Sequence, residues 1–298
     1  VRAQLLARRD ARVWPALDDK RLAGWNALMI SALADAGAVL GREDYLDAAR
    51  IAADFVLTRM RDENGRLLRT FNAGEARLNA YLEDHAFLLE ALLDLYEATF
   101  DARWFAEAQA IAGQVIERFA DPGSGGFFST SDDHEQLVAR RKDLEDAPIP
   151  AGGSSAAFGL LRLAALTGEH EFERQAVSHL RLVHEIAPRH PTAFGHLLRA
   201  IDFHLRAVQE VALVGPADGV AALAAVVRSE LRPGVVLAGG PGVAEGDETV
   251  PLLSGRGPVD GRAAAYVCEQ FACKRPVTEP QELAVLLTPS TGAGRLAP

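Results

Sequence analysis

Cysteine is scarce in this sequence, since Cys268 and Cys273 are the two among 298 residues. Two cysteines are too few for the disulfide framework of a small secreted domain, and too few to complete a zinc site unaided. We therefore expect a protein of the reducing cytoplasm. Buried structural thiols are favoured over a redox pair, because the cysteines lack the two-residue spacing of a thioredoxin motif.

Positive charge is also in short supply. The chain has 31 Lys and Arg against 41 Asp and Glu, a formal net charge of -10. A surface that neutralises phosphates needs the opposite balance. The composition therefore argues against nucleic acid and anionic membranes as general partners.

Long hydrophobic runs are missing as well. The apolar stretch 25–40 is interrupted by Ser31 and Asp35 and is shorter than the roughly 20 residues of a spanning helix. Residues 1–12 carry four arginines and no apolar core, unlike a signal peptide. We therefore expect no membrane segment and, because the chain begins with Val1, a missing upstream part.

Apolar and charged residues are well represented, at 49% and 24% of the chain. A chain of this size and composition buries a substantial core, which excludes a disordered protein. Up to about residue 207, helices that are apolar all round alternate with helices that have one apolar face. The pattern predicts three hairpins of an inner and an outer helix, 22–37 with 44–60, 86–98 with 102–119 and 155–166 with 171–186, before a further helix at 196–206.

Each outer helix opens with an aromatic residue that is followed four positions later by alanine. The pairs are Tyr45 with Ala49, Trp104 with Ala108, and Phe172 with Ala176. This spacing places both side chains on one helix face, where the ring covers the turn. The long connections 61–80 and 121–153 contain strand-like pieces at 66–71, 126–129 and 136–140, which predict short ordered hairpins at one rim.

Beyond residue 209 the pattern changes to alternating strands and helices. Predicted strands are 211–214, 235–238 and 263–267, predicted helices are 220–231 and 280–287, and 239–246 and 288–298 are a loop and a loose tail. We therefore predict a mainly α protein with an α-hairpin domain in residues 1–207 and a small α/β domain in residues 208–298.

Polar residues gather just before or within the first turns of each inner helix. Those that we select as candidates for binding a ligand are Asp18, Lys20, Trp25, Asn26, Tyr81, Glu83, His85, Asp132, Arg140 and Ser154. In hairpins packed side by side, every inner helix begins at the same rim, so these residues are expected to converge. A cup of carboxylates and aromatic rings suits a sugar, because carboxylates accept from hydroxyl groups and rings stack on apolar sugar faces.

Three carboxylates at this rim are candidates for acid and base catalysis, namely Asp19, Asp84 and Asp133. An active site of this kind would serve a glycosidase-like or a sugar epimerase-like reaction. No cofactor is predicted and no metal, since Glu83, His85 and His134 lack a metal-ligand spacing. For each residue taken singly, helix capping is an equally good explanation.

Four segments carry a family resemblance. Residues 17–30 resemble the DDK…WNGLMI segment of the thioredoxin-domain-containing proteins related to spermatogenesis-associated protein 20, and residues 81–100 resemble that family's DDYAFLI…LLDLYEATF segment. Residues 125–154 resemble GGFF.TSDD…VRPKE…PSGNS, and residues 266–273 resemble YVCENFTC. The matches run in order across nearly the whole chain.

The resemblance implies an upstream thioredoxin-like domain, then an (α/α)6 toroid similar to six-hairpin glycosidases and N-acylglucosamine 2-epimerases, then a small α/β end. This chain would hold half of the toroid and the end domain. Three hairpins cannot close a ring of six, so the inner faces near Leu28, Phe87 and Phe158 are expected to border an open edge.

The sequence departs from the family pattern at four rim positions. Gly153 replaces an asparagine, Ala27 a glycine, His85 a tyrosine and Arg141 a proline. If those positions bind a substrate, specificity or activity is altered here.

Two functions remain open at this point. The first is a carbohydrate-active or carbohydrate-binding toroid, and the second is a non-catalytic helical scaffold that supports a thioredoxin-like domain or docks its protein clients.

Overall fold

The computed structural model describes residues 1–135, 138–241 and 249–288. The helices of the first part are α1 Arg2–Asp10, α2 Ala23–Leu40, α3 Glu43–Arg59, α4 Leu82–Thr99, α5 Ala102–Phe119, α6 Gly152–Thr167, α7 His170–Val183 and α8 Gly195–Leu205. Three short strands accompany them, β1 Arg21–Leu22, β2 Leu68–Asn72 and β3 Glu75–Asn79. The predicted inner and outer hairpins are confirmed as α2 with α3, α4 with α5, and α6 with α7.

The aromatic and alanine pairs lie where the sequence predicts. Trp104, Ala108 and Ala176 are fully buried, and Phe172 is nearly so. The turns before α3 and α7 are closed by glycines in the left-handed conformation, Gly41 and Gly168. The hairpins are those of a partial (α/α) toroid, with inner helices α2, α4 and α6 side by side and α8 continuing the row.

The row of inner helices ends at α2 on one side and at α8 on the other. Phe87 and Phe158 are buried, so the prediction that they border an open edge is wrong. The reason is that α4 packs between α2 and α6, and α6 between α4 and α8, so neither inner helix has a free flank. Trp25 and Met29 on α2 are 65% and 58% exposed.

Among the described helices, α2 is also the one with the length and hydropathy of a membrane span, although by those two criteria alone.

The first connection forms a small antiparallel sheet in the order β1-β2-β3. Strand β1, just before α2, pairs with β2, so that Arg21 lies opposite Phe71. The predicted hairpin in this connection is confirmed. The predicted strand at 126–129 is reduced to an isolated bridge between Ala120 and Phe127, and the predicted strand at 136–140 begins outside the described residues.

The C-terminal part has the predicted alternation of strand and helix. Its elements are β4 Gln209–Val214, α9 Ala217–Arg228, β5 Val235–Gly240, β6 Ala264–Glu269, β7 Ala272–Cys273 and α10 Pro280–Leu287. The sheet order is β5-β4-β6-β7, with β4 and β5 parallel and the other pairs antiparallel. Much of the predicted loop 239–246 and of the tail 288–298 lies outside the described residues.

Two apolar clusters cover the two faces of this sheet. Ala212 and Val236 belong to the main core that the helices form, whereas Val211 and Leu237 pack with α9 and α10. The expectation of free thiols is wrong, because Cys268 and Cys273 are joined in a disulfide. They lie directly opposite each other on β6 and β7, which brings their sulfur atoms together.

The start of α6 packs unusually closely on α7 at Gly153. A Cβ atom on Gly153 would lie 2.2 Å from Cε1 of His179, which is fully buried. We therefore expect Gly153→Ala to lower the free energy of unfolding by about 1–3 kcal/mol through overpacking, although alanine is ordinarily the better helix former. Urea denaturation measures this.

Gly195, the first residue of α8, provides the matched control. Nothing lies within 4 Å of a Cβ built there, so Gly195→Ala should leave stability unchanged or raise it by about 1 kcal/mol or less. Equal effects of the two substitutions would show that the contact with His179 does not constrain position 153.

Candidate functional site

A cleft of about 890 Å³ lies at the rim where the inner helices α4 and α6 begin. Its walls are the first residues of these two helices and the second long connection, over residues 129–130 and 141–153. The two helix starts touch, because a Cβ on Gly152 would lie 2.8 Å from the backbone nitrogen of Glu83. The prediction that the inner helices begin at one shared rim is confirmed for α4 and α6.

Asp84 extends this shared rim to α2. Its carboxylate is 2% exposed and accepts hydrogen bonds from the backbone nitrogen of Gly24 at 2.9 Å and from that of Tyr81 at 3.0 Å. Arg69 of β2 donates a third at 2.7 Å. Burial raises the pKa of Asp84, against the opposing influence of Arg69 and the two amides. Asp84 therefore joins the starts of α2 and α4 and holds Arg69.

Arg69, Tyr81 and Glu83 form the polar wall of the cleft. The Arg69 guanidinium donates to Glu83 at 2.9 Å and lies 4.6 Å from the centre of the Tyr81 ring. His134 stacks on the same ring at a centroid distance of 5.2 Å. The tyrosine ring is thus held in place by two neighbours, and the Glu83 carboxylate is about one-third exposed at the cleft surface.

The opposite wall is the second connection, which is tied to the start of α4. Leu82 donates its backbone N–H to the Ser129 carbonyl at 3.0 Å, and the Ser129 hydroxyl donates to Asp143 at 2.7 Å. Arg140 packs on Phe128, with its guanidinium carbon 4.2 Å from the ring centre, and donates to the carbonyl of Thr130. The connection is therefore ordered by its own hydrogen bonds.

Asp146 fixes the far side of the cleft. One carboxylate oxygen accepts from the backbone nitrogen of Ala151 at 2.8 Å, immediately before α6. The other accepts from the backbone nitrogens of His196 at 2.8 Å and Leu197 at 3.1 Å, at the start of α8. One side chain therefore caps two inner helices and positions the connection between them.

The segment before α2 and the first turn of α2 contribute five predicted residues that do not line the cleft. Asp18 and Lys20 form an exposed ion pair with each other, and Asp19 is exposed on the same segment. Trp25 lies on the exposed face of α2, and the side-chain amide of Asn26 donates to the Leu22 carbonyl at 2.8 Å. The structure therefore does not bring these residues together with Tyr81 and Glu83.

Asp133 and its neighbour Asp132 lie near the end of α5, outside the residues that line the cleft. Asp133 is paired with both Arg66 and Arg118. Although partial burial raises its pKa, the hydroxyl of Ser131 and the two guanidinium groups outweigh burial and lower it. Both carboxylate oxygens of Asp133 are thus engaged by arginine.

Two further predicted residues are enclosed at the rim. His85 is buried, its Nδ1 lies 2.9 Å from the Tyr81 carbonyl oxygen, and its Nε2 has no partner among the described residues. Burial lowers the pKa of His85 to about 4. Ser154 is fully buried in the first turn of α6, and its hydroxyl likewise lacks a partner in the described structure. In the ranges that the structure describes, no group of three or more His, Cys, Asp and Glu side chains is arranged to hold a metal ion.

Sequence reasoning selected few of the residues that line the cleft. Among the polar ones that it missed are Arg69, Ser129, Asp143, Glu145 and Asp146. Arg69 falls within the strand predicted at 66–71, but nothing in the strand pattern distinguishes the residue that faces the helix starts. Asp146 lies five residues before Ala151, too far for the usual sequence signal of a helix cap.

A second cleft of about 980 Å³ lies at the other end of α6, away from the rim. It is lined by the C-terminal ends of α6 and α8, the start of α7 and the β6–β7 turn, with Phe271 and Lys274 on the side of the sheet. None of the predicted site residues lines it.

No protein-family model matches the chain. Among solved structures, cellobiose 2-epimerase from Bacillus thermoamylovorans B4167 gives a TM-score of 0.46 at 15% identity, over 56% of this chain and 45% of that chain. Cellobiose 2-epimerase from Spirochaeta thermophila DSM 6192 gives a TM-score of 0.46 at 18% identity, over 57% of this chain and 44% of that chain.

Curated relatives match the chain in sequence. Spermatogenesis-associated protein 20 of Homo sapiens is 34% identical over 304 residues, which cover 96% of this chain and 38% of the human protein. The protein of the same name from Rattus norvegicus is 35% identical over 289 residues, 91% of this chain and 36% of the rat protein. The chain thus spans somewhat more than a third of the length of these relatives. With a match over nearly all of its residues, it belongs to the family of spermatogenesis-associated protein 20.

Proposed function

We propose that the rim cleft binds a carbohydrate. The observation that carries this proposal is the nearly balanced charge of a large cleft whose walls have both polar and apolar side chains. Three cationic side chains line it, Arg69, Arg141 and Lys142, against four carboxylates, Glu83, Asp143, Glu145 and Asp146. An anionic ligand would favour a cationic excess, whereas a neutral polyol uses donors and acceptors of both kinds.

Glu83 is the residue to which the proposal assigns the main contact with sugar hydroxyl groups. Its carboxylate accepts one hydrogen bond from Arg69, 2.9 Å away, and a carboxylate has capacity for several. Tyr81 lines the same cleft, and Leu144 and Ile149 supply apolar surface on the other wall. This combination supports a ligand that has hydroxyl groups on its rim and apolar faces.

Asp84 acts as a positioning residue in this proposal. It lies behind Arg69 and holds the guanidinium that in turn orients Glu83. The acid and base roles of Asp19, Asp84 and Asp133 stay predictions, as do a hydrolytic or epimerising reaction, the upstream thioredoxin-like domain and a cytoplasmic location.

The alternative function, a helical scaffold that docks protein, draws support from a different surface. Trp25 and Met29 expose apolar area on α2, at one end of the row of inner helices. Contiguous apolar surface of this kind is typical of protein contacts. Sugar binding at the rim and protein docking on α2 concern separate residues, so each is tested without the other.

Calorimetric titration with hexoses and N-acetylhexosamines tests the sugar site. We expect Glu83→Gln to weaken binding by about ten-fold or more, because a hydrogen bond to a charged group contributes about 1.5–3 kcal/mol. Glutamine keeps the size of the side chain, so the fold should be preserved. Glu63→Gln, in an exposed turn of the first connection, is the matched control and should bind as the unmodified protein does.

Two results would refute the sugar site. One is that the unmodified protein binds none of the sugars at millimolar concentration, and the other is that Glu83→Gln and Glu63→Gln bind equally well. Either result would leave the scaffold as the better account of the chain.

A further inference from the structure

The Cys268–Cys273 disulfide has a cation against its sulfur atoms. Nη2 of Arg256 lies 3.0 Å from Sγ of Cys273 and 3.6 Å from Sγ of Cys268. The other terminal nitrogen of this guanidinium donates to the carbonyls of Leu252 at 2.5 Å and Ser254 at 3.2 Å. The group is therefore held in place beside the disulfide by the backbone.

The disulfide itself gives no reason for this cation. A disulfide is neutral, and no ion pair joins Arg256, which is partly buried, to a carboxylate within 4 Å among the described residues, although the charge of Glu210 acts on it from farther away. A partly desolvated guanidinium is best compensated by an anion in direct contact. At this position such an anion is a cysteine thiolate, which forms when the disulfide is reduced and which a neighbouring arginine stabilises.

The two sulfur atoms differ in access. Cys268 on β6 is 1% exposed, whereas Cys273 on the edge strand β7 is exposed. An external thiolate therefore reaches the Cys273 sulfur, with Cys268 as the leaving group next to the same guanidinium. Because one cysteine is accessible and the other is enclosed, Cys273 is the one attacked in thiol exchange and Cys268 the one that leaves.

The turn between the cysteines has a second attachment. Gln270 and Phe271 both have positive φ, 51° and 62°, although neither is glycine or asparagine. The backbone N–H of Phe271 donates to the buried carboxylate of Glu210 at 2.7 Å. Because Glu210 holds the turn by a contact that does not involve the sulfur atoms, we expect the hairpin to stay folded when the disulfide opens.

We propose that Cys268 and Cys273 form a thiol–disulfide exchange site whose co-substrate is a dithiol. A thiolate of the dithiol attacks Sγ of Cys273, a mixed disulfide forms, and the electron pair of the broken bond passes to Sγ of Cys268. The second thiol of the dithiol loses its proton to solvent. The resulting thiolate attacks the first sulfur of the dithiol, which is bonded to Sγ of Cys273, and Cys273 is released as a thiolate. The dithiol leaves oxidised by two electrons, and Arg256 stabilises the thiolates of the reduced protein.

The test equilibrates the protein in mixtures of reduced and oxidised dithiothreitol, traps free thiols with a maleimide and counts them by mass spectrometry. We expect a reversible change between zero and two labelled cysteines with no change in the circular dichroism spectrum. Arg256→Gln should require about three- to ten-fold more reduced dithiothreitol at the midpoint. It should also slow maleimide labelling of reduced Cys273 at neutral pH by a similar factor, because one unit of thiol pKa changes the thiolate fraction about ten-fold.

Two variants keep this test decisive. Arg262→Gln removes another arginine of the same α/β part, one that pairs with Glu279, and should change neither the midpoint nor the labelling rate. Arg256→Lys keeps the charge and should retain most of both effects, whereas Arg256→Met also removes the charge and takes the place of Arg256→Gln if that variant fails to fold. The proposal is overturned if the cysteines stay unoxidised in oxidised dithiothreitol, if reduction unfolds the protein, or if a folded Arg256→Gln or Arg256→Met protein has the midpoint and the labelling rate of the unmodified protein.

Discussion

Replacing Asp84 by alanine is expected to lower the free energy of unfolding by about 3–5 kcal/mol, the usual loss when one partner of a buried ion pair is removed. The substitution leaves the backbone nitrogens of Gly24 and Tyr81 without their acceptor and Arg69 without its enclosed partner. Because these contacts join the starts of α2 and α4, the loss should appear as destabilisation of the whole helix row. Urea denaturation followed by circular dichroism measures it.

Asp133→Ala is the control. Asp133, like Asp84, pairs with arginine, in this case with two of them, but its side chain is considerably more exposed. Exposed pairs contribute little, so this substitution should cost about 1 kcal/mol or less. The loss of unfolding free energy for Asp84→Asn should fall between those of the two alanine variants, because asparagine keeps one acceptor oxygen but no charge. Equal losses for the two alanine variants would contradict the role of Asp84 as the tie between helices.

Stability is expected to fall as the pH drops from about 6.5 to 4, through two buried histidines. Burial lowers the pKa of both His85 and His179 to about 4, from the ordinary value of 6.5. In this range the unfolded chain binds protons that the folded protein does not, so folding loses stability as the pH falls. The shift corresponds to about 3 kcal/mol for each histidine at the acid end of the range.

The substitution His179→Leu isolates one of these contributions. Neither ring nitrogen of His179 has a partner among the described residues, so leucine removes a titrating group without removing a hydrogen bond. Between pH 7 and pH 4, the free energy of unfolding of the variant should fall by about 3 kcal/mol less than that of the unmodified protein. His190→Leu, at an exposed position, should follow the unmodified protein.

Comparing variants matters here because some carboxylates act in the opposite direction. Partial burial beside Asp94 raises the pKa of Asp35 to about 6, so its contribution favours folding at low pH and is lost as the pH rises through 6. This contribution is the same in both histidine variants and cancels in the comparison. Parallel pH profiles for His179→Leu and His190→Leu would show that His179 does not titrate as proposed.

The sequence predicts the helical layer well because its signals are local. The apolar period and the aromatic and alanine pairs each depend on residues within one or two turns, and the shared rim follows from hairpin geometry. The hydrogen bond between Asp84 and Gly24, 60 residues apart, agrees with the predicted convergence of the inner-helix starts. No local sequence pattern indicates whether the Asp84 side chain contacts a ligand or a backbone amide.

The cleft was harder to predict because long connections build it. Asp133 pairs with Arg66, 67 residues away, and Asp146 caps a helix 50 residues later in the chain. Contacts at such distances depend on the path of a connection, which periodicity does not encode. The disulfide was missed for a related reason, since the Gln270–Phe271 turn lacks the glycine or asparagine that indicates a two-residue hairpin.

A crystal structure of the protein with the best-binding sugar of the calorimetric series tests the central claim most directly. The account predicts the sugar in the rim cleft, with a hydroxyl group within hydrogen-bond distance of the Glu83 carboxylate and the ring between Tyr81 and Ile149. A sugar stacked on the exposed Trp25 of α2, or seated beside Phe271 in the second cleft, would contradict it.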